Sequence, residues 1–354
     1  MRVVVTGATG NVGTSVLDAL CAEPAVTSVL GLARRMPDSV PERWASKVEL
    51  AAADVVTDAL APRFAGADAV VHLAWLIQPS RRPDVLHATN VDGSARVFRA
   101  VAEASVPNLV YASSIGAYSP GPKDRPVDES WPTDGIPSSF YARHKAAVER
   151  HLDEFETTYP GVRVVRLRPG LIFKREAASS IQRLFLGRLV PVRALRPSLL
   201  PAVPKVERLV VQAVHTEDVA DAYRRAVVGE ARGAFNIAAD PVLDPDELGR
   251  ILGARPISLP PSVLRVGADL TWKLRLQPTP SGWVDMGLSV PVMDTTRART
   301  ELGWTPRHTS AEALLDLLDG FAHRAEGPTP ALRRYSAPPK DAEAAEAAAT
   351  SATR

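Results

Sequence analysis

Tyr141 and Lys145 stand four residues apart in the run Tyr141-Ala142-Arg143-His144-Lys145. On a helix that spacing sets a phenol and an amine on one face, one turn apart. A tyrosine hydroxyl ordinarily titrates near 10, and a neighbouring ammonium favours the phenolate and lowers that value. Such a phenol can exchange a proton with a substrate hydroxyl or carbonyl oxygen while a hydride moves to or from a nicotinamide. The spacing alone arises by chance on many helix surfaces, and its company gives it weight. Ser113 and Ser114 directly follow the apolar run 109–112, at what would be the C-terminal edge of a sheet, where ligands bind in such folds. A serine there can hydrogen-bond the reacting oxygen. The plainer reading of the pair is a strand-ending turn.

A second constellation lies at the start of the chain. The run Thr6-Gly7-Ala8-Thr9-Gly10-Asn11-Val12-Gly13 follows three valines and precedes an amphipathic stretch. Gly7 permits a tight turn, Gly10 lets backbone approach a pyrophosphate, and Gly13 lets a helix pack closely on a sheet. The helix N-terminus adds free N–H groups and a partial positive charge. Thr9, Asn11 and Val12 complete this candidate cofactor loop. Its spacing is GxxxGxxG rather than GxGxxG, and a glycine-rich turn without a ligand is the bland alternative. No Gly-Lys-Ser/Thr follows, so it is not a P-loop. An acid about 20 residues on would hold the ribose 2′-hydroxyl of NAD. Here the second apolar run ends Leu32-Ala33-Arg34-Arg35. Two arginines suit the 2′-phosphate of NADP, with NAD, and two merely solvated arginines, as the alternatives. Asp54 is a candidate partner for the adenine amino group.

These groups need a frame that brings strand ends together. Apolar runs at 3–5, 29–33, 69–73, 108–112 and 162–167 alternate with helical patterns at 12–22, 90–104 and 141–159. That alternation predicts βαβ units and an α/β, Rossmann-type, doubly wound parallel sheet. Beyond Arg168-Pro169-Gly170 the regularity breaks. A strand is expected at 209–214, a helix at 217–228 and a strand at 234–238. Residues 1–174, with 209–239 returning to them, form the expected dinucleotide-binding core. Residues 175–208 and 240–325 form a smaller, mostly helical substrate domain. Residues 336–354 carry no large apolar side chain and are expected to be disordered.

Composition limits the function further. The 354 residues are 45% hydrophobic with a net charge of +2, which supports a sizeable core and argues against a nucleic-acid partner. The single cysteine, Cys21, excludes an intramolecular disulfide and a multi-cysteine metal site and fits a cytoplasmic protein. No metal site is expected. The apolar stretch 184–203 is interrupted by arginines and prolines and is not a membrane span.

Taken in order, TGATGNVG at 6–13, Asp54-Val55, VVHLAW at 70–75, Asn90-Val91-Asp92-Gly93, YASSIGAY at 111–118, YARHK at 141–145, LRPG at 167–170, HTEDVA at 215–220, FNIA at 235–238 and LGWTP at 302–306 resemble the extended short-chain dehydrogenase/reductase family, in its NAD-dependent epimerase/dehydratase branch. The resemblance runs to about residue 310. It implies Ser114, Tyr141 and Lys145 as catalytic residues, with Tyr141 as acid/base and Lys145 also on the nicotinamide ribose. It implies Val55, His72, Leu73, Ala74 and Trp75 along the cofactor cleft. Asn90 would order the active-site helix and sheet beside the cofactor, and Pro169 would pack near the nicotinamide. His215 and Asp218 would be structural ties.

Two departures bear on chemistry. The stretch after LRPG, Leu171-Ile172-Phe173-Lys174-Arg175-Glu176, lacks the tyrosine-glycine-proline common in nucleotide-sugar enzymes of this kind. Ile115-Gly116 stands where the sugar 4,6-dehydratases carry an acid pair. The expected function is therefore NAD(P)-dependent hydride transfer at a hydroxyl or carbonyl carbon of a small molecule, by an epimerase-type cycle. The alternatives are an NADPH-dependent reductase or dehydrogenase of an apolar or anionic substrate, a non-catalytic nicotinamide-binding regulator, or a membrane-associated enzyme using 184–203. Arg183, Arg188, Arg193 and Arg196 in that stretch suit an anionic substrate group, or a solvated face. The resemblance also implies a homodimer through helices near 90–104 and 141–158.

Overall fold

The computed structural model describes residues 1–187, 189–197 and 199–333, with residue 193 described by its backbone alone. The tail expected to be disordered, 336–354, lies outside them, as does Arg188. Seven strands form the central sheet: β1 (Arg2–Thr6), β2 (Ser28–Ala33), β3 (Val48–Ala52), β4 (Ala69–His72), β5 (Asn108–Ala112), β6 (Arg163–Pro169) and β7 (Gly233–Ile237). Their order is β7-β6-β5-β4-β1-β2-β3, with every pair parallel. The order reverses between β1 and β4, the topological switch point of a Rossmann-type sheet, so a crevice opens beyond their C-terminal ends.

The strands read as apolar runs because both faces are covered. Val3 and Val5 face α1 (Asn11–Ala22) and α4 (Thr216–Val228), joined there by Val71, Val110 and Val165. Val4, Val70, Leu109 and Val164 point the other way, against α2 (Gly93–Glu103) and α3 (Phe140–Thr158) through Val97, Phe98, Leu152 and Phe155. The side-chain period of 2 thus splits each strand between two cores.

Beyond the sheet, α5 (Pro261–Lys273), α6 (Gly282–Ser289) and α7 (Ser310–His323) dominate the C-terminal part. The strand expected at 209–214 is shorter than the pattern suggests. Only Ala213–His215 pairs as a strand, with Leu171–Phe173, while Val211 makes one isolated antiparallel bridge to Leu243. Arg208 has a positive φ of 66°, which turns the chain away from extended pairing just upstream. Helix α2 likewise begins at Gly93, after a π-helical turn over Ala88–Asp92 that contains Asn90. Among the described residues no helix is long and apolar enough to cross a membrane.

Candidate active site

The glycine loop spans the gap between β1 and α1. Gly7 sits at φ +72°, and a Cβ there would lie 2.7 Å from the Ala74 backbone nitrogen. A Cβ on Gly13 would lie 2.3 Å from the Gly7 carbonyl oxygen. These two glycines let the loop, the helix and the end of β4 close on one another. Gly10 differs: a Cβ there would meet only the Gly7 oxygen, at 3.3 Å, with nothing else within 4 Å. Gly10 is also the N-cap of α1, no side chain caps that end, and its first turn carries no acid. The first-turn N–H groups of Asn11, Val12 and Gly13 therefore lie in an anion-ready cradle. The arrangement fits the pyrophosphate of a dinucleotide.

Other expected cofactor contacts sort by place. Arg34 and Arg35 are exposed just past β2, and among the described residues neither meets a carboxylate. Arg35 lies close enough to Arg183 to depress that guanidinium's proton affinity, after burial. Thr9 Oγ1 faces the Arg35 carbonyl at 3.5 Å. Asp54 caps its own turn, accepting from the Val56 N–H at 2.8 Å, and the neighbouring Val55 is buried against Gly93. Leu73, Ala74 and Trp75 follow β4 at the switch point. Pro169 ends β6 beside Ile237.

Two further residues of the expected cofactor region, His72 and Asn90, are buried. His72 is buried, with Nδ1 2.7 Å from Thr6 Oγ1 and Nε2 3.0 Å from Ser94 Oγ. Asn90 is fully buried, and both ends of its amide serve Leu76, accepting its N–H at 2.7 Å and donating to its carbonyl at 2.8 Å. Its polar atoms hold the chain beyond β4 in place rather than reaching into the crevice.

Tyr141 and Lys145 occupy one face of α3, whose N-cap Ser139 accepts from the Ala142 N–H. The Tyr141 phenol lies beside the Ser114 side chain. Ser114 accepts from the Gly116 N–H at 3.0 Å. Strand alternation sends the preceding Ser113 the other way, to Glu149 Oε1 at 2.5 Å. Lys145 Nζ donates to the Ala112 carbonyl at 2.6 Å and lies 3.5 Å from the centroid of the Trp75 ring.

The electrostatics differ from the simple expectation of a phenol lowered by its neighbouring lysine. Burial pushes the Tyr141 phenol up, offset in part by the neighbouring Ser114 hydroxyl. The reason is geometric: the Lys145 ammonium is 5.8 Å from the Tyr141 ring centroid and committed to Ala112 and Trp75. Burial also pulls Lys145 well below its ordinary value, opposed by the carboxylate of Glu149.

Two features of this site carried no weight in the sequence. The first is an aromatic wall. Trp283, on α6, lies 4.9 Å from the Tyr141 ring and 5.0 Å from Phe185, and Trp75 meets Tyr141 edge-on at 5.8 Å. The indole N–H groups of Trp75 and Trp283 are buried without a hydrogen-bond partner among the described residues. The second is a buried ion network beneath Lys145. Glu149 accepts from Arg168 at 2.9 and 3.0 Å and from Arg166 at 2.9 Å. These guanidiniums hold its carboxyl down at about 2 despite burial. A signal for the network was present: Glu149 continues the helical stripe of Tyr141 and Lys145 by one more turn, and Arg166 and Arg168 share one face of β6.

The two arginines of 181–204 whose side chains are described do not converge on the site. Arg183 donates to the carbonyls of Ala331 and Arg333, and Arg196 to that of Ala322. His215 and Asp218 are bound into the fold. His215 Nδ1 accepts from the Glu217 N–H and its Nε2 faces Asp316, while Asp218 accepts from the backbone N–H groups of Arg307 and His308.

The sequence model of the NAD dependent epimerase/dehydratase family matches residues 3–238. A protein of Mycobacterium tuberculosis described as uncharacterized is 29% identical over 322 residues, covering 89% of this chain and 29% of that protein. The chain thus spans less than a third of the length of this relative. The L-arabinose 1-dehydrogenase (NAD(P)(+)) of Haloferax volcanii is 30% identical over 179 residues, 48% of this chain and 66% of its own. The solved structure of Thermus thermophilus UDP-glucose 4-epimerase with NAD is similar at TM-score 0.64 and 21% identity, covering 91% of this chain and 99% of that one. The dTDP-glucose 4,6-dehydratase of Streptomyces venezuelae with NAD and TYD bound is similar at TM-score 0.66 and 20% identity, covering 91% and 97%. At such identities these two structures bear on the fold.

Proposed function

The chain belongs to the NAD-dependent epimerase/dehydratase family, and from that premise we propose that it transfers a hydride at a hydroxyl- or carbonyl-bearing carbon of a small molecule, with Tyr141 as acid/base. The observation that carries this reading is the Tyr141–Ser114 hydroxyl pair at the sheet edge, with Lys145 one turn away. The glycine loop would hold the dinucleotide, whose nicotinamide supplies the hydride acceptor and donor. In oxidation Tyr141, as the phenolate that a charged Lys145 favours, takes the proton of the substrate hydroxyl as the carbon gives up its hydride. In reduction it returns that proton to the carbonyl oxygen. Ser114 orients the substrate oxygen, and a phenol pushed up by burial carries its proton at neutral pH, ready to act as acid. Lys145, when charged, favours the phenolate that follows.

The aromatic wall of Trp75, Trp283 and Phe185 supports an apolar substrate body, and the missing tyrosine-glycine-proline run weighs against a nucleotide sugar. Arg34 and Arg35, which meet no carboxylate among the described residues, favour a second reading in which NADPH is consumed each cycle by a reductase. Denaturing the purified protein and weighing any released nucleotide separates the two. Near-stoichiometric retained cofactor supports the epimerase-type cycle, and an empty protein that binds added NADPH supports the reductase. Tyr141→Phe should retain cofactor binding and lose roughly 10²–10⁴-fold in turnover. Wild-type turnover by that variant would overturn the role of Tyr141.

A further inference from the structure

Helix α5 turns an apolar face to solvent. None of its residues is buried. Val263, Val266 and Leu270, with Leu274 just past its end, stand at i, i+3, i+7 and i+11 and are 52, 62, 54 and 60% exposed. That spacing is one stripe along a helix. The opposite side, Leu264, Ala268 and Trp272, rests half-buried on the protein. Both sides of the helix are therefore apolar, and only the inner one is covered. Four large side chains in one stripe amount to a few hundred Å² of apolar surface, the size at which a patch marks a contact site.

The stripe is flanked by cations. Arg265 pairs with Asp285 at 2.8 Å and Lys273 with Asp269 at 2.7 Å. Arg81 and Arg275 meet no carboxylate among the described residues. Arg81 lies over the Trp272 ring at 4.3 Å and donates to the Trp272 carbonyl. The face also sits at the edge of the candidate active site. Trp272 Nε1 donates to Ser80 Oγ, Ser80 and Gln78 donate to the Pro278 carbonyl, and Thr279 Oγ1 donates to the carbonyl of Phe185, which packs on Trp283.

We propose that the outward face of α5 docks on an anionic lipid bilayer. The helix lies in the plane of the interface, with Val263, Val266, Leu270 and Leu274 among the acyl chains near the headgroups and the unmatched cations on lipid phosphates. Charge selects this occupant over a second copy of the chain. A two-fold contact through this stripe would bring its own net-positive rim against itself, whereas an anionic surface matches both the apolar stripe and the excess cations. The proposal does not depend on the reaction assigned to the cleft.

The test is co-sedimentation of the full chain with extruded vesicles, either phosphatidylcholine alone or phosphatidylcholine with phosphatidylglycerol, at low and high salt. Binding to the anionic vesicles should exceed binding to neutral ones roughly tenfold or more, and salt should weaken it. The double variant V266D/L270D, at exposed positions, should abolish binding while its circular dichroism and cofactor binding stay as in the wild type. R275E should weaken binding without abolishing it. Failure to sediment with anionic vesicles overturns the proposal. So does equal binding to neutral vesicles, or binding that survives V266D/L270D. A wild-type oligomer in solution that this double variant dissociates would assign the face to a second copy and also overturn it.

Discussion

Replacing Glu149 with glutamine should cost this protein a large part of its stability and shift its pH profile. The carboxylate is fully buried and accepts hydrogen bonds from Arg166, Arg168 and Ser113. Removing its charge leaves Arg168, itself buried, without an ion-pair partner among the described residues, held by neutral acceptors such as the Tyr118 hydroxyl and the Glu129 carbonyl. Arg166 keeps Asp153 and Glu156. Breaking a buried pair from one side typically costs about 3–5 kcal/mol. A carboxyl held from 4.5 down to about 2 implies about 3 kcal/mol for its charged form. The two routes agree on roughly 3 kcal/mol, against a total stability of about 5–15 kcal/mol. Urea unfolding at pH 7, followed by circular dichroism, measures the loss.

The same substitution reaches the active site through Lys145. Glu149 opposes the burial that drives Lys145 down, so E149Q lowers the lysine's proton affinity further. The alkaline limb of turnover that reflects loss of the lysine charge should move to lower pH. A loss of less than about 1 kcal/mol, together with an unmoved alkaline limb, would refute the view that this network is both a structural keystone and the electrostatic support of Lys145. Rescue of the pH profile by E149D would show that the charge, rather than the shape of the side chain, is responsible.

Other outcomes follow from the same geometry. Gly10→Ala should fold with near-normal stability, since its Cβ meets only one atom at 3.3 Å, yet lose dinucleotide binding by equilibrium dialysis; retained binding would remove the pyrophosphate from this loop. Gly7→Ala should instead destabilise the fold, because φ is +72° and backbone lies 2.7 Å away, and a melting temperature equal to wild type would contradict that. R34S/R35S should weaken NADPH binding at least tenfold, about 1.4 kcal/mol, with little change for NADH; equal effects on both would make the arginines bystanders. Stability should fall on acidification below pH 6.5. Burial holds His72 at about 3 and His144 at about 4, so the unfolded chain takes up protons that the folded chain refuses. The slope should reach up to about 1.4 kcal/mol per pH unit for each histidine, with the His144 contribution levelling near pH 4. Urea midpoints that do not change between pH 7 and pH 5 would contradict it.

The Tyr141–Lys145 stripe, the glycine loop and the alternation of strands and helices were legible in the sequence because each is local. Helical spacing fixes which side chains share a face, and a strand–glycine–helix run fixes where free N–H groups emerge. Alternating apolar runs fix a parallel sheet whose strand ends gather at one edge. What joins distant segments was not legible. Trp283 reaches Tyr141 across a span of 142 positions that no periodicity connects. The partners of Asn90 and His72, the Leu76 backbone and the hydroxyls of Thr6 and Ser94, come from other segments that no local pattern names. The segment after α7 returns to the glycine loop, where Thr329 donates to the Thr9 carbonyl at 2.7 Å, and nothing in its composition announces that contact. Local propensity decides which elements exist and which faces they offer. Burial, pairing and the orientation of polar groups are settled only when faces from remote parts of the chain meet, because each such group takes the partner that packing leaves within reach.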